Sequence, residues 1–242
     1  MKFLEISNNF LKEIILEAEN KNTHLEHLED NIFNKGYQGA KEAINYLYSL
    51  HEMLEGSSKT PISMTTKWDG APAIVAGKDP QTGKFFVGTK GVFAQKPKIN
   101  FTEKDILENH PSEGLQDKLR LALKSLKGLT WNTVAQGDML FSKSDLKTVN
   151  INDEECLVFK PNTIVYAIPT SSDLAKQITS ADMGIVWHTE YVGGPTLADT
   201  TAKFGFDSSV LGNSNKVWHR DALIKDFSGT VTLTQDESNS IM

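Results

Sequence analysis

The apolar residues of this chain keep two different periods, and the change between them falls near residue 60. Before it, Ala40, Ile44, Leu47, Leu50 and Leu54 recur at three- and four-residue steps, and Phe10, Leu11, Ile14 and Ile15 do the same further upstream. That spacing places them on one face of a helix. After it, apolar and β-branched residues come in short runs separated by turn residues: Ala73–Ala76, Phe85–Thr89, Thr133–Phe141, Cys156–Lys160, Thr163–Ile168, Gly184–Thr189 and Thr230–Thr234. Runs of this length and texture predict strands. One helical pattern interrupts them, at Leu115, Leu119, Ala122, Leu123 and Leu126. Helices segregated from successive strands predict an α+β fold with mainly antiparallel sheets, not an alternating parallel one.

Punctuation supports the same division. Gly36 and Gly39 separate the two upstream helical patterns, and Gly56-Ser57-Ser58 ends the second. The turn-rich stretch Gly77–Gly83 joins two strand candidates as a hairpin, and Pro161-Asn162 predicts a tight turn between two others. The expected organisation is an N-terminal helical lead-in over 1–58, packed on a main domain over 59–242. The His24–Asp30 run, with histidines and acids three apart, reads as a solvated helical face.

Charge and cysteine content exclude several classes. Cys156 is the single cysteine, which rules out an internal disulfide framework and any cysteine-cluster zinc site. No apolar run approaches the roughly 20 residues needed to span a bilayer. The N-terminus carries Glu5, Glu13, Glu17 and Glu19 and lacks a positive start, so it does not read as a secretory signal, and a cytoplasmic location is expected. The net charge of −6 weighs against a strongly basic nucleic-acid binder. A local stripe of Lys84, Lys90, Lys96 and Lys98 stands against that trend, as a phosphate-binding face or a solvated hairpin.

The stretch that carries chemistry is Thr65-Thr66-Lys67-Trp68-Asp69-Gly70-Ala71-Pro72-Ala73. A Lys-x-Asp-Gly turn just before a strand resembles motif I of the covalent-lysine nucleotidyltransferases, the superfamily of DNA ligases, RNA ligases and mRNA capping enzymes. Later segments follow in the same order. Phe85–Gly91 is similar to a strand ending in a basic residue and a glycine, with Lys90 in the basic position. Val134–Leu140 resembles motif III, with Gly137-Asp138 for Gly-Glu. Thr163–Ile168 resembles the strand whose aromatic, here Tyr166, stacks on the base. Gly184-Ile185-Val186 resembles motif IV, and Lys203 falls where a motif V lysine is expected. The resemblance spans residues 62–205, and similar uncharacterised proteins occur in tailed bacteriophages.

The resemblance implies an ATP-grasp-like nucleotidyltransferase domain that uses ATP and Mg²⁺. Lys67 would be the nucleophile, forming a lysyl-AMP intermediate; Thr66, Asp69, Gly70, Lys90, Tyr166 and Lys203 would bind the nucleotide, and Asp138 the metal. The implied partner is nucleic acid, DNA or RNA, with 5′-phosphate and 3′-hydroxyl ends, and no membrane. Residue types suit this chemistry: a lysine attacks only as the neutral amine, and glycine beside it admits close backbone approach. Bland alternatives stand beside several assignments, with Asp69 as a turn-former and Tyr166 as a core aromatic. The sequence also departs from the pattern. Met183, preceded by Asp182, stands where motif IV has glutamate, and Gly205 where motif V has a second lysine. Use of GTP, a protein or small-molecule acceptor, and an inactive binding protein of the same fold are the alternative expectations.

Overall fold

The computed structural model describes residues 28–55, 66–223 and 234–241. In chain order its elements are α1 (Asp30–Leu54), β1 (Ala73–Lys78), β2 (Phe85–Gly88), α2 (Glu103–Asn109), α3 (Glu113–Leu126), β3 (Val134–Ser142), β4 (Lys147–Ile151), β5 (Glu154–Phe159), β6 (Tyr166–Pro169), α4 (Asp173–Ser180), β7 (Met183–Val192), β8 (Thr201–Phe204), β9 (Val217–Asp221) and α5 (Gln235–Ile241). The α+β expectation with mainly antiparallel sheets holds. The pattern at Phe10–Ile15, residues 24–27 of the His24–Asp30 run, Gly56-Ser57-Ser58 and residues 230–233 of the strand expected at Thr230–Thr234 lie outside the described residues.

Two compact units are present, one grouping 28–55 with 234–241, the other comprising 66–223. In the first, α1 breaks at Gly36, whose φ of 57° and ψ of −133° lie off the helical region. The break turns the first segment back so that the Asn31 carbonyl lies where a Cβ on Gly39 would stand. Both glycines are therefore structural, one for its conformation and one for its lack of a side chain. Ser238 of α5 hydrogen-bonds Glu55 Oε1 at 2.9 Å and the His51 ring at 3.0 Å.

The second unit holds two sheets. The larger has six strands in the order β2-β1-β3-β7-β8, with β9 also pairing β7; only the β7–β9 pairing is parallel. The smaller has the order β4-β5-β6. The hairpin between β1 and β2 forms because Asp79, buried, accepts hydrogen bonds from Thr82 N–H and Oγ1. Gly83 then takes a φ of 67° to lead into β2. α3 presents Leu119, Ala122, Leu123 and Leu126 to one face of the large sheet, at the spacing the sequence shows. Each fully buried leucine there is worth about 1.5–3 kcal/mol.

Strand alternation sorts the large sheet into two faces. Ile74, Ala76, Ala135, Met139, Ile185 and Trp187 pack with α2 and α3. The other face carries two separate clusters. One contains Val75, Val134 and Tyr191; the other contains Leu140 and Val186, packed with Leu157 and Phe159 of the small sheet and Ile178 of α4. Asp138 lies on this second face, in register with Val186 and Ala73, between the residues that build the two clusters. An acid in that gap interrupts an otherwise apolar strand face without being sealed, since its side chain is 24% exposed.

Candidate active site around Lys67

The segment 66–72 runs between the two sheets and is fastened to both. At its start, Thr66 N–H donates to the Ala222 carbonyl just beyond β9 at 2.8 Å. Trp68 stacks on Tyr166 of β6, with centroids 5.7 Å apart, and Tyr166 in turn stacks on Phe159 at 5.3 Å. Asp69 N–H donates to the Tyr166 hydroxyl at 3.1 Å. At its end, Ala71 N–H donates to Met139 O at 2.9 Å and Met139 N–H to Pro72 O at 3.1 Å, so the segment extends β1 alongside β3.

Asp69 makes the firmest of these attachments. One carboxylate oxygen accepts from Asn162 Nδ2 at 2.8 Å, and the other accepts from Thr163 N–H at 2.5 Å and Ile164 N–H at 2.7 Å. The Ile164 N–H first, then the Asn162 amide, hold its carboxyl below the ordinary aspartate value, with the Lys67 charge contributing. These bonds explain a difference from the sequence expectation. Residues 160–165 form a longer connection between β5 and β6, not a tight turn at Pro161-Asn162, because Asp69 organises its backbone.

Gly70 lies against β3 so closely that a Cβ there would fall 2.5 Å from Asp138 Cβ and 2.9 Å from Met139 O. The structure thus brings Lys67, Asp69, Gly70, Tyr166 and Asp138 into one neighbourhood. Thr66 is exposed and its backbone N–H serves as an anchor. Lys67 is exposed, and its amine makes no hydrogen bond or ion pair with a described residue.

The other two lysines diverge. Lys90 is exposed at the start of a 3-10 turn after β2. Gly88 pairs with Val75, so Lys90 lies toward Ala73 and the end of the segment. Lys203 lies elsewhere. It pairs across β8 and β7 with Glu190, with a salt bridge at 3.8 Å. Ala202, its neighbour, packs into the cluster of Val75 and Tyr191, so alternation turns Lys203 to the sheet's opposite face from Asp138. Strand spacing and rise put the two on the order of 14 Å apart. Met183, where a motif IV glutamate is expected, is fully buried in the core.

Two residues near Asp138 go unassigned by the sequence. His188 occupies the register shift between β3 and β7, and its Nε2 comes within 3.6 Å of Asp138 Oδ1. Arg220 of β9 pairs in register with Val186 and lies in the same row as Asp138, with its guanidinium over the Trp218 ring at 5.3 Å. The repeated Trp-His dipeptide is the only local signal for either. The two copies sit on adjacent parallel strands, with Trp187 and Trp218 filling clusters on opposite sheet faces.

Fold and site together define an α+β unit with a pinned, lysine-bearing segment between two mainly antiparallel sheets. The chain belongs to the family of unknown function DUF6267, whose family model matches residues 22–242. No curated protein and no solved structure matches it. Among the described residues no helix is long and apolar enough to cross a membrane.

Proposed function

We propose that residues 66–223 form an ATP-grasp-like nucleotidyltransferase domain that adenylylates Lys67 and uses the adduct to seal nucleic acid ends. One observation carries the reading: backbone or side-chain contacts fix Thr66, Trp68, Asp69 and Ala71, while the Lys67 amine is left unengaged among described residues. A nucleophile on a fixed segment loses little orientational freedom when its substrate arrives. Lys67 is exposed, so a triphosphate can reach its amine from solvent.

In the proposed first step the Lys67 Nζ lone pair attacks the α-phosphorus of ATP. The bond to the bridging oxygen breaks and pyrophosphate leaves with its electrons. A phosphoramidate remains on Lys67, whose extra proton goes to solvent. An oxygen of a 5′-phosphate then attacks that phosphorus, breaking the P–N bond so that the lysine leaves and takes up a proton. A 3′-hydroxyl attacks the activated 5′-phosphate, breaking the phosphoanhydride to release AMP and losing its proton to solvent. Magnesium usually takes one or two carboxylates together with phosphates and water, and Asp138, half-buried beside Gly70, fits that role and would bring it charge-neutralising power toward the phosphates. The exposed Lys84, Lys90, Lys96 and Lys98 suit weak, salt-dependent contact with a polynucleotide backbone.

The test is intact mass after incubation with ATP and Mg²⁺. Addition of one AMP, abolished in Lys67→Ala, is expected; label retained by Lys67→Ala at another lysine refutes the assignment. The buried Met183 favours a second reading, a binding protein that keeps the fold without turnover. That protein acquires no adduct with either ATP or GTP.

A further inference from the structure

A cavity of about 430 Å³ opens at the edge of the large sheet, between α4 and β9. Its wall is formed by Gln177 and Ser180 of α4, by Asn213, Ser214 and Asn215 of the loop leading to β9, and by Arg220, with Trp218 and His219 beside them. That volume falls in the range of small-molecule sites, about 300–1,000 Å³. Ala181 and Val217 add apolar surface to this wall, and its charge is one-sided. Amides, hydroxyls and a guanidinium are present, while no carboxylate lines it among the described residues. This stands out in a chain of net charge −6.

Arg220 is oriented, and no carboxylate of a described residue pairs with it. One guanidinium nitrogen donates to the His219 carbonyl at 2.9 Å, another to Gln177 Oε1 at 3.1 Å, and the plane lies over Trp218. Neither acceptor carries charge, and the fork of five N–H donors is only partly used. An oriented arginine without a carboxylate partner is the arrangement that recognises phosphate. Hydroxyl and amide groups around it suit a sugar or base edge.

Position links the cavity to Lys67. Ala222, whose carbonyl anchors Thr66, follows Arg220 by two residues, about 7 Å of strand. We infer that this cavity binds the 5′-phosphorylated terminal nucleotide of the acceptor strand, presenting it toward the Lys67 segment. Its role as an acceptor subsite rests on the nucleotidyl-transfer reading, whereas its preference for a terminal phosphate can be read without ATP.

The experiment measures fluorescence anisotropy of the full chain with a 3′-labelled oligonucleotide, at low salt and without ATP. Matched oligonucleotides with and without a 5′-phosphate are compared, and AMP serves as competitor. The phosphorylated strand is expected to bind about tenfold more tightly, the scale of one charge-assisted contact. Arg220→Gln should erase that difference, and Asn213→Ala, at an exposed loop position, should reduce it several-fold with the melting temperature unchanged. Lys67→Ala should retain it in full. Equal binding of the two strands, or a preference surviving in Arg220→Gln, overturns the inference. AMP displacing the strand as effectively as the phosphorylated oligonucleotide itself overturns it too, by making the cavity a free-nucleotide site. If the phosphate preference holds while no AMP adduct forms on Lys67, the cavity stands and the nucleotidyl-transfer reading fails.

Discussion

Replacing Gly70 by alanine tests the geometry of the Lys67 segment more directly than removing any charged group. The added Cβ would stand 2.5 Å from Asp138 Cβ and 2.9 Å from Met139 O. Ordinary contact begins near 3.4 Å, so a separation of about 0.9 Å must open (3.4 − 2.5). Neither neighbour is the loose end of a side chain. Asp138 and Met139 belong to a strand paired on both sides, so the segment has to move instead. Overpacking of this kind costs about 1–3 kcal/mol. A displacement near 1 Å in a reacting group can cost on the order of a hundredfold in rate. Gly70→Ala should therefore lower the melting temperature and slow Lys67 adenylylation by about 10- to 100-fold. Gly114→Ala is the control: its Cβ meets nothing within 4 Å, it lies in α3, and it should stabilise the protein slightly. Thermal melts and single-turnover adduct formation on both variants decide the matter. A Gly70→Ala protein with wild-type melting and wild-type adduct rate would refute the close packing and the positioning argument together.

Asp138→Asn should slow adenylylation by at least about tenfold, through loss of a charged contact; an unchanged rate removes Asp138 from the site. Lys203→Ala should leave adduct formation unchanged, since the residue faces away from Asp138, and a large loss of rate would show that the nucleotide reaches the opposite sheet face. His110 and His219 are buried, and desolvation pushes both below the ordinary histidine value. The unfolded chain consequently takes up protons that the folded one resists, so stability should fall as pH drops below about 6.5. Melting temperatures between pH 8 and pH 5 read this, and His219→Gln should flatten the slope. Asp69 is pushed down as well, which for an acid favours the charged form, so its stabilising hold on 162–164 is full above about pH 4 and is lost as pH falls further. A pH titration of Trp68 fluorescence in a chain carrying Trp131→Phe, Trp187→Phe and Trp218→Phe would show no acid transition if that hold were absent.

The parts legible in the sequence are those whose signal is local. The Gly77–Gly83 hairpin, α3 and the long strands β3 and β7 follow from periodicity and turn chemistry. α2 goes unread, although Thr102 and Asp105 form a capping box at its start. What stays hidden depends on register. His188 reaches Asp138 only because the β3–β7 pairing slips by one residue there, and no feature of the sequence announces the slip. Arg220 gains its place through a parallel pairing between strands far apart in the chain. Lys203 misleads for the converse reason: spacing along the chain brings it to an expected position, while a one-residue alternation sends its side chain to the other face. β4 escapes because all five of its residues are exposed, which leaves it no buried face to write a pattern.

The anchor from Thr66 to Ala222 has a consequence for synthesis. The segment bearing Lys67 is translated early, but the carbonyl that ties its first residue belongs to the last part of the second unit. A ribosome-bound nascent chain can pair β1 with β2 and then with β3 while that tether is still unmade. Closing so long a loop is slow relative to the local hairpins. The tether on the N-terminal side of Lys67 therefore forms only when β9 docks, and a chain cut before Val217 would hold the segment from the Trp68–Ala71 side alone.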